Sequence, residues 1–491
     1  MVTTISKAKT FRNILYSSLA KGITLFCVAL TSMVVARNLA PGDYGVVGFA
    51  GIIIGFLGQF SDMGVGNAVI RRKEVRQHNL DTALTLKIAL SSCAFVIALS
   101  IAPFARHFFD HPATGNVIRI LALNFLISSI GFIPQAMLTR EMNYRALVIP
   151  GVVGAAVQCI AAVTLILRGW SFWSVVIANV GATLATGIVM QLTKRFPVHL
   201  RFDWADAHEY LQFGIPLFGS GVLVFVIFNL DNFLVGASMG SIQLGYYALA
   251  FTWGSFICVI LSGTVNNVLF PAFSAIQHDA VAVRRWYLKT VDLVAFIAVV
   301  ANTALLVNAP FFLVTFLGKG TNKWLPAVVS FRILCIYGII RAVTEPLGPY
   351  LMARGRTRTL LYATLLAGAV EVALLLVALR MKRIDMVAAA VLIAYFSQAM
   401  VYLPSLRRNF SVGLGDILSN VWPVIPALGV GWFFTSLLPN SFGTTLLTLG
   451  IRGLFTISVV GLTHGLFSRF RCFHEMSGMI LQNRVREVSI S

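Results

Sequence analysis

The sequence predicts an all-α integral membrane protein with about fourteen transmembrane helices. Of its 491 residues, 58% are apolar and only 11% are charged, whereas an ordinary soluble protein carries about 25% charged residues. The mean hydropathy of +0.84 is too high for a surface that faces water. The apolar runs are about 20 to 25 residues long, the length of a helix that crosses a bilayer. They lack the short alternating strands of an outer-membrane barrel.

The candidate spans follow one another with short connecting loops, so neither side of the membrane has room for a soluble catalytic domain. A short interfacial helix is predicted in the longest loop, at 203–213. The predicted spans are 14–36, 44–70, 84–104, 116–138, 146–167, 170–192, 212–236, 245–270, 290–316, 327–352, 359–379, 385–406, 414–436 and 443–467.

Lysine and arginine are distributed unequally between alternate loops. The loops of one side carry 25 of them, with Lys87 counted there, and those of the other side carry eight. Because positive loops stay in the cytoplasm, this bias predicts that both termini are cytoplasmic and that the number of spans is even. The net charge of +20 is therefore assigned to topology and anionic lipid, and no nucleic-acid partner is expected.

The two halves of the chain resemble each other at an offset of 200 residues. Identical residues recur in the pairs Val35/Val235, Gly45/Gly245, Ala50/Ala250, Val65/Val265 and Asn67/Asn267. Each copy begins a block of six predicted spans, and an even block returns the chain to its starting side. We therefore predict two parallel six-helix lobes at 1–200 and 201–410, followed by an appended helix pair and cytoplasmic tail at 411–491. Two such lobes enclose a central cleft that can open to either side alternately, which indicates a transporter.

Three segments also carry a resemblance to a known family: ARNLAPGDYGVVGFA, FSDMGVGNAVIRRK and LQFGIPLFGSGVLVFVIFNLDNFLVGASMGSIQLGYYALA. They resemble bacterial polysaccharide flippases of the multidrug/oligosaccharidyl-lipid/polysaccharide exporter superfamily, of the exopolysaccharide exporter type. The resemblance implies a V-shaped transporter in the bacterial inner membrane. It would move undecaprenyl-diphosphate-linked oligosaccharide repeat units across that membrane by alternating access, for exopolysaccharide or lipopolysaccharide biosynthesis. The implied partners are the lipid-linked oligosaccharide and membrane lipids, with the polysaccharide polymerase and the chain-length regulator as further candidates.

Two alternative functions remain open from the sequence. A cation-coupled drug antiporter of the same superfamily would share the fold. A membrane polysaccharide polymerase is disfavoured because the predicted outer loops are short, and a non-transporting scaffold is disfavoured by the duplication. The sequence contains no phosphate-binding loop and no HExxH motif. The six cysteines include no CxxC pair, so no disulfide framework and no metal site are expected. No enzyme activity and no cofactor are expected either. Proton or Na⁺ coupling, or downstream consumption of the substrate, would drive transport.

Charged side chains inside the predicted spans are the candidate site residues, since each costs about 2.5–3.5 kcal/mol at mid-bilayer on insertion scales. The substrate-binding candidates are the cations Lys21, Arg332, Arg341 and Arg452. The coupling or structural carboxylates are Asp62, Asp231, Glu345 and Glu371. Equal numbers of the two signs leave the charge of the substrate open, and only the resemblance favours an anionic lipid.

Spacing along the spans predicts which of these charges meet. Lys21 and Asp62 have matched depths on adjacent antiparallel spans, which predicts an ion pair. This pair is interpreted either as a structural clamp or as a coupling carboxylate with its counter-ion. Asp231 and Arg332 are a second depth-matched pair.

Arg341 and Glu345 lie four residues apart on one helix face and would neutralise each other. The alternative role for Arg341 is to bind a diphosphate, because its planar fork matches two phosphate oxygens. The sequence leaves both roles open.

Overall fold

The computed structural model describes residues 7–105, 109–197, 199–262, 273, 280–353, 355–410, 426, 429–430, 433 and 446–467. These residues fold almost entirely into helices and include no strand, so the predicted all-α membrane class is confirmed. The chain forms two compact units, Met1–Gly245 and Tyr246–Ser491.

The helices that begin in the first unit are α1 to α9. Their bounds are α1 Lys7–Asn38, α2 Pro41–Asp62, α3 Val65–Arg71, α4 Gln77–Ile101, α5 Thr114–Ser128, α6 Phe132–Arg140, α7 Tyr144–Leu167, α8 Trp173–Thr193 and α9 Trp204–Gly254.

The second unit continues with helices α10 to α15. Their bounds are α10 Ala280–Val307, α11 Val328–Thr344, α12 Leu347–Ala353, α13 Thr357–Arg380, α14 Ile384–Phe410 and α15 Leu446–Phe467. Between α10 and α11 the chain forms a helical turn, a π-helix at Phe312–Leu317 and a 3₁₀-helix at Asn322–Ala327. Trp253, at the end of α9, packs its ring against those of Phe312 and Phe316, with centroids 5.5 and 5.8 Å apart.

Within the described residues, ten helices are long and apolar enough to cross a membrane, or eleven if the bent pair α5 and α6 is one span. These two helices meet at an angle of 52°. The predicted spans 212–236 and 245–270 fall, as far as the structure describes them, mostly on the single helix α9. The predicted span 414–436 lies almost entirely outside the described residues, so the number fourteen stays a prediction.

The start of α9 differs from the sequence-based expectation. The prediction of a separate interfacial helix at 203–213 is wrong, because this segment forms the first turns of α9 without a break. The Asp203 carboxylate accepts hydrogen bonds from the backbone N–H groups of Ala205, at 2.8 Å, and Asp206, at 3.1 Å. This carboxylate therefore caps the helix and satisfies donors that have no partner within it.

α9 is interrupted at Gly240, whose φ of 88° and ψ of 179° lie outside the helical region. Glycine takes this conformation without steric cost. Beyond the interruption, the backbone N–H of Ser241 donates a hydrogen bond to the Asp110 carboxylate at 2.8 Å. The interruption lies at an offset of 200 from Ala40, which separates α1 from α2, so both sequence copies break their helices at the same place.

α2 and α9 cross at a contact that only small residues permit. A Cβ on Gly45 would lie 2.0 Å from the carbonyl oxygen of Ser241, and a Cβ on Gly245 would lie 1.8 Å from that of Pro41. Gly45 and Gly245 are related by the 200-residue offset, and so are Pro41 and Ser241. The contact is therefore reciprocal, as it is across a twofold axis. The residues of this crossing thus correspond by the offset of the predicted repeat, and the two six-helix lobes stay a prediction.

The two helices approach again at their other ends, where a Cβ on Gly214 would lie 2.1 Å from the carbonyl oxygen of Met63. Between the two glycine crossings, α2 and α9 are separated by phenylalanine side chains, and this stretch is called the α2–α9 seam. Its ring pairs have centroids 5.6, 6.2 and 4.6 Å apart and are Phe49/Phe233, Phe56/Phe225 and Phe60/Phe218. The seam borders an apolar cavity of about 560 Å³.

Candidate functional site

A lysine lies buried among the membrane-spanning helices of the first unit. Lys87, on α4, is 5% exposed. Its ammonium donates hydrogen bonds to the carbonyl oxygen and the hydroxyl of Ser61 at 2.8 and 3.0 Å, and lies 4.0 Å from the Asp62 carboxylate. It also lies 5.5 Å from the centre of the Phe132 ring. The desolvation cost of this cation is therefore offset by hydrogen bonds, a counter-ion and an aromatic face.

The predicted ion pair between Lys21 and Asp62 is wrong, because the structure pairs Asp62 with Lys87. Lys21 is exposed and makes no ion pair with any residue that the structure describes. The error comes from the start of α4. The helix begins at Gln77, seven residues before the predicted span at 84. Lys87 is therefore about 15 Å into the helix, at 1.5 Å per residue, instead of close to the end of a span, where it was counted with the loop cations.

The polar start of α4 is stabilised by tertiary hydrogen bonds that the sequence does not show. Asn79 is 2% exposed. Its amide donates to the Asp206 carboxylate on α9 at 2.7 Å, and its side-chain oxygen accepts from the backbone N–H of Arg76 at 2.9 Å. Thr85 donates to the carbonyl oxygen of Arg201 at 2.8 Å. These polar residues are typical of a loop by composition, yet here they form a buried helical turn.

Replacing Lys87 by Met is expected to lower the stability of the protein, whereas the same replacement of Lys21 is expected to leave it unchanged. Met keeps the apolar stem but removes the hydrogen bonds to Ser61, each worth about 1.5–3 kcal/mol when one partner is charged. The measurement is the melting temperature of the purified protein in detergent. Equal melting temperatures for the two variants would contradict the assigned role of Lys87.

Arg341 lies on α11, where two tyrosines and a glutamate surround its guanidinium group. One nitrogen donates to the Tyr337 hydroxyl at 2.9 Å, and the group lies 5.9 and 5.6 Å from the ring centres of Tyr337 and Tyr395. Glu345 lies 3.8 Å away, so the predicted contact between these two charges is confirmed. The Arg341 side chain is 16% exposed. The sequence did not indicate the two tyrosines, since Tyr395 comes from a different helix, α14.

Four further candidate charges lie on other turns or other helices of the chain. Asp231 is 2% exposed and accepts hydrogen bonds from the backbone and side-chain nitrogens of Asn232 at 2.7 and 3.1 Å. Glu371, on α13, is 6% exposed. Arg452, on α15, lies 5.1 Å from the centre of the Phe311 ring. Arg332 is half-buried on α11, and its pairing with Asp231 stays a prediction.

The helical framework matches solved membrane transporters over nearly its whole length. The chain superposes on the lipid II flippase MurJ in an inward closed conformation with a TM-score of 0.74 and 12% identity, covering 93% of this chain and 99% of that one. It also superposes on an inward-facing multidrug resistance MATE family transporter with a TM-score of 0.63 and 15% identity, covering 80% and 98%. The chain therefore shares the helical fold of these two membrane proteins.

The chain belongs to the polysaccharide biosynthesis protein family, whose sequence profile matches residues 34–329. One relative is the lipopolysaccharide biosynthesis protein WzxC of Escherichia coli strain K12, which is 24% identical over 356 residues, or 71% of each chain. The predicted resemblance to polysaccharide flippases of the exporter superfamily is therefore confirmed. The protein is a multi-pass membrane protein of the polysaccharide biosynthesis family.

Proposed function

We propose that the protein is a flippase that moves undecaprenyl-diphosphate-linked oligosaccharide units across the bacterial inner membrane by alternating access, with both termini in the cytoplasm. The family match supports the saccharide, and the excess of basic residues in alternate loops supports the orientation. The structural observation that carries the proposal is Arg341, an arginine within a membrane-spanning helix.

The surroundings of Arg341 suit an anionic ligand. The tyrosine rings lower the cost of a cation at this depth, and the exposed part of its side chain leaves an approach for a ligand. The separation of 3.8 Å from Glu345 exceeds the length of a charge-assisted hydrogen bond, about 2.7–2.9 Å. A diphosphate offers the paired oxygens that match the guanidinium fork. Arg341 is therefore assigned to the diphosphate of the substrate, with Glu345 as its resting counter-ion.

A driving force and partners complete the proposal. No cofactor is assigned. Asp62 is the proposed carboxylate for a coupling proton or Na⁺, since 60% of its side chain is accessible while its neighbour Lys87 is buried. The polysaccharide polymerase and the chain-length regulator are proposed downstream partners, because they would consume the delivered units. The drug antiporter alternative shares the fold, but the polysaccharide family match favours a saccharide substrate.

The test of this function is a gene deletion followed by lipid analysis. The deletion strain is expected to lose the polymer and to accumulate the complete undecaprenyl-diphosphate-linked repeat unit on the cytoplasmic side of the membrane. A plasmid copy of the gene should reverse both effects. Accumulation of incomplete units would indicate a role in synthesis instead, and normal polymer in the deletion strain would contradict the proposal.

A further inference from the structure

A second polar site lies at one end of the first unit, where the loop 72–76 and the end of α6 meet the first turns of α9. This region is called the basic end. It holds a cavity of about 1030 Å³, as large as the cavities that bind small ligands, which are typically about 300–1,000 Å³. Four Lys or Arg side chains and one histidine line it, against two glutamates. Its lining is therefore cationic overall.

One of these arginines is committed to holding the structure together. Arg72 donates to the Asp206 carboxylate at 2.7 Å and to the Tyr210 hydroxyl at 3.3 Å. Burial lowers the pKa of Arg72, but its hydrogen bonds to Asp206 and Tyr210 outweigh this effect and raise the pKa above its ordinary value. The Tyr210 hydroxyl in turn donates to the carbonyl oxygen of Asn79 at 3.1 Å. Arg72 therefore fixes the loop to α4 and α9 and stays charged.

Arg140, the last residue of α6, holds the same loop from its backbone. Its guanidinium donates to the carbonyl oxygens of Ile70 at 3.0 Å and Lys73 at 2.8 Å, and also to that of Arg72. Carbonyl groups at a helix C-terminus have no partner within the helix, and Arg140 supplies one for the end of α3. The backbone that carries the cavity cations is thus held in place before any ligand binds.

Two cations in the cavity, Arg71 and Lys73, form no salt bridge within the part of the chain that the structure describes, whereas the third exposed cation, Arg76, does. Arg76 lies 3.6 Å from Glu74, and both are exposed. Arg71 and Lys73 are exposed and form no ion pair with any residue in the described ranges. The Arg71 guanidinium lies 4.7 Å from the centre of the Phe213 ring. These two side chains can therefore donate to an anion without breaking an existing salt bridge.

One wall of the cavity is apolar, and it leads toward the α2–α9 seam. Phe213, Pro216 and Leu217 line this wall. The next residue, Phe218, packs against Phe60, which lines the apolar cavity of the seam. The arrangement places the uncommitted cations Arg71 and Lys73 beside an apolar wall. It fits a ligand with an anionic head and a long apolar chain better than it fits a soluble anion.

We propose that the cavity at the basic end binds the diphosphate of a polyprenyl-linked lipid. Arg71 and Lys73 donate to the phosphate oxygens, and Phe213 and Leu217 contact the first isoprene units. The identity of the lipid rests on the proposed function, whereas the chemistry of the site rests on the cavity alone. The site is distinct from Arg341, which belongs to the second unit, and it gives the substrate a first binding place at the membrane surface.

The test is direct binding to the full-length protein in phosphatidylcholine nanodiscs, measured by calorimetry with farnesyl diphosphate. Replacing both Arg71 and Lys73 by Gln is expected to weaken binding at least about tenfold, because two charge-assisted hydrogen bonds are lost. The matched control replaces Arg195 and Arg201 by Gln. These two arginines are exposed, lie outside the cavity lining and carry the same total charge. The control is expected to bind within about twofold of the wild type.

Competitor ligands separate the sources of the phosphate group. Inorganic pyrophosphate is expected to bind at least about tenfold more weakly than farnesyl diphosphate, because it lacks the apolar chain. Equal affinity for pyrophosphate would make this a site for free phosphate, and equal competition by phosphatidylglycerol would make it a general lipid surface. Either result overturns the proposal, as does unchanged binding by the double variant. If the double variant misfolds, the single variants R71Q and K73Q are each expected to weaken binding about threefold or more.

The binding experiment and the deletion experiment can fail separately. If farnesyl diphosphate binds but the deletion strain makes normal polymer, the proposed function is refuted and the proposed binding site still stands. If the deletion strain loses its polymer but farnesyl diphosphate does not bind, the proposed binding site is refuted and the proposed function still stands.

Discussion

Replacing Arg341 by Ala is expected to abolish most polymer export while leaving a normal amount of protein in the membrane. In the proposed function the guanidinium binds the substrate diphosphate, so its removal would take away a bidentate charge-assisted contact within the membrane. Loss of a hydrogen-bonded charge at such a site typically costs about 2–5 kcal/mol of binding, or a factor of thirty or more. Export is measured as polymer secreted by the complemented deletion strain.

Two conservative variants separate the proposed roles of Arg341. Arg341→Lys should restore export only in part, because a point charge replaces the fork. Tyr337→Phe keeps the ring beneath the guanidinium but removes the hydroxyl that accepts its hydrogen bond, so a moderate loss is expected. Full export by the Ala variant would leave Arg341 with a purely structural role beside Glu345.

Replacing Gly45 or Gly245 by Val is expected to prevent stable folding. A Cβ at these positions would lie 2.0 or 1.8 Å from a backbone carbonyl oxygen on the neighbouring helix segment, and a backbone atom cannot rotate away as a side chain can. The two segments would have to separate, which costs at least the 1–3 kcal/mol or so typical of overpacking. The measurement is the amount of protein in the membrane and its melting temperature in detergent.

The matched control for these variants is Gly51→Val on α2. A Cβ at Gly51 meets nothing within 4 Å, and the residue is exposed. Its variant is expected to melt close to the wild type, since valine is also no worse than glycine within a helix. If Gly45→Val and Gly51→Val melted at the same temperature, the close crossing of α2 and α9 would be refuted.

The candidate site was only partly predictable from the sequence. The contact between Arg341 and Glu345 is local, because residues four apart on a helix always share a face. The partner of Asp62 was predicted wrongly, since depth along two helices does not show which faces meet. Tyr395 was missed because it reaches Arg341 from α14. Lys87 was missed because the polar residues at the start of α4 resemble a loop.

The sequence by itself determined the membrane class and the positions of most helices. These properties follow from hydropathy and from spacing along one chain, so they need no knowledge of helix neighbours. The tertiary structure alone decided that Lys87 pairs with Asp62 and that Arg72 binds Asp206, 134 residues away. Such polar contacts depend on which helices adjoin and how each is rotated. Burial makes these contacts strong, because a buried charge that loses its partner has no water to take the partner's place.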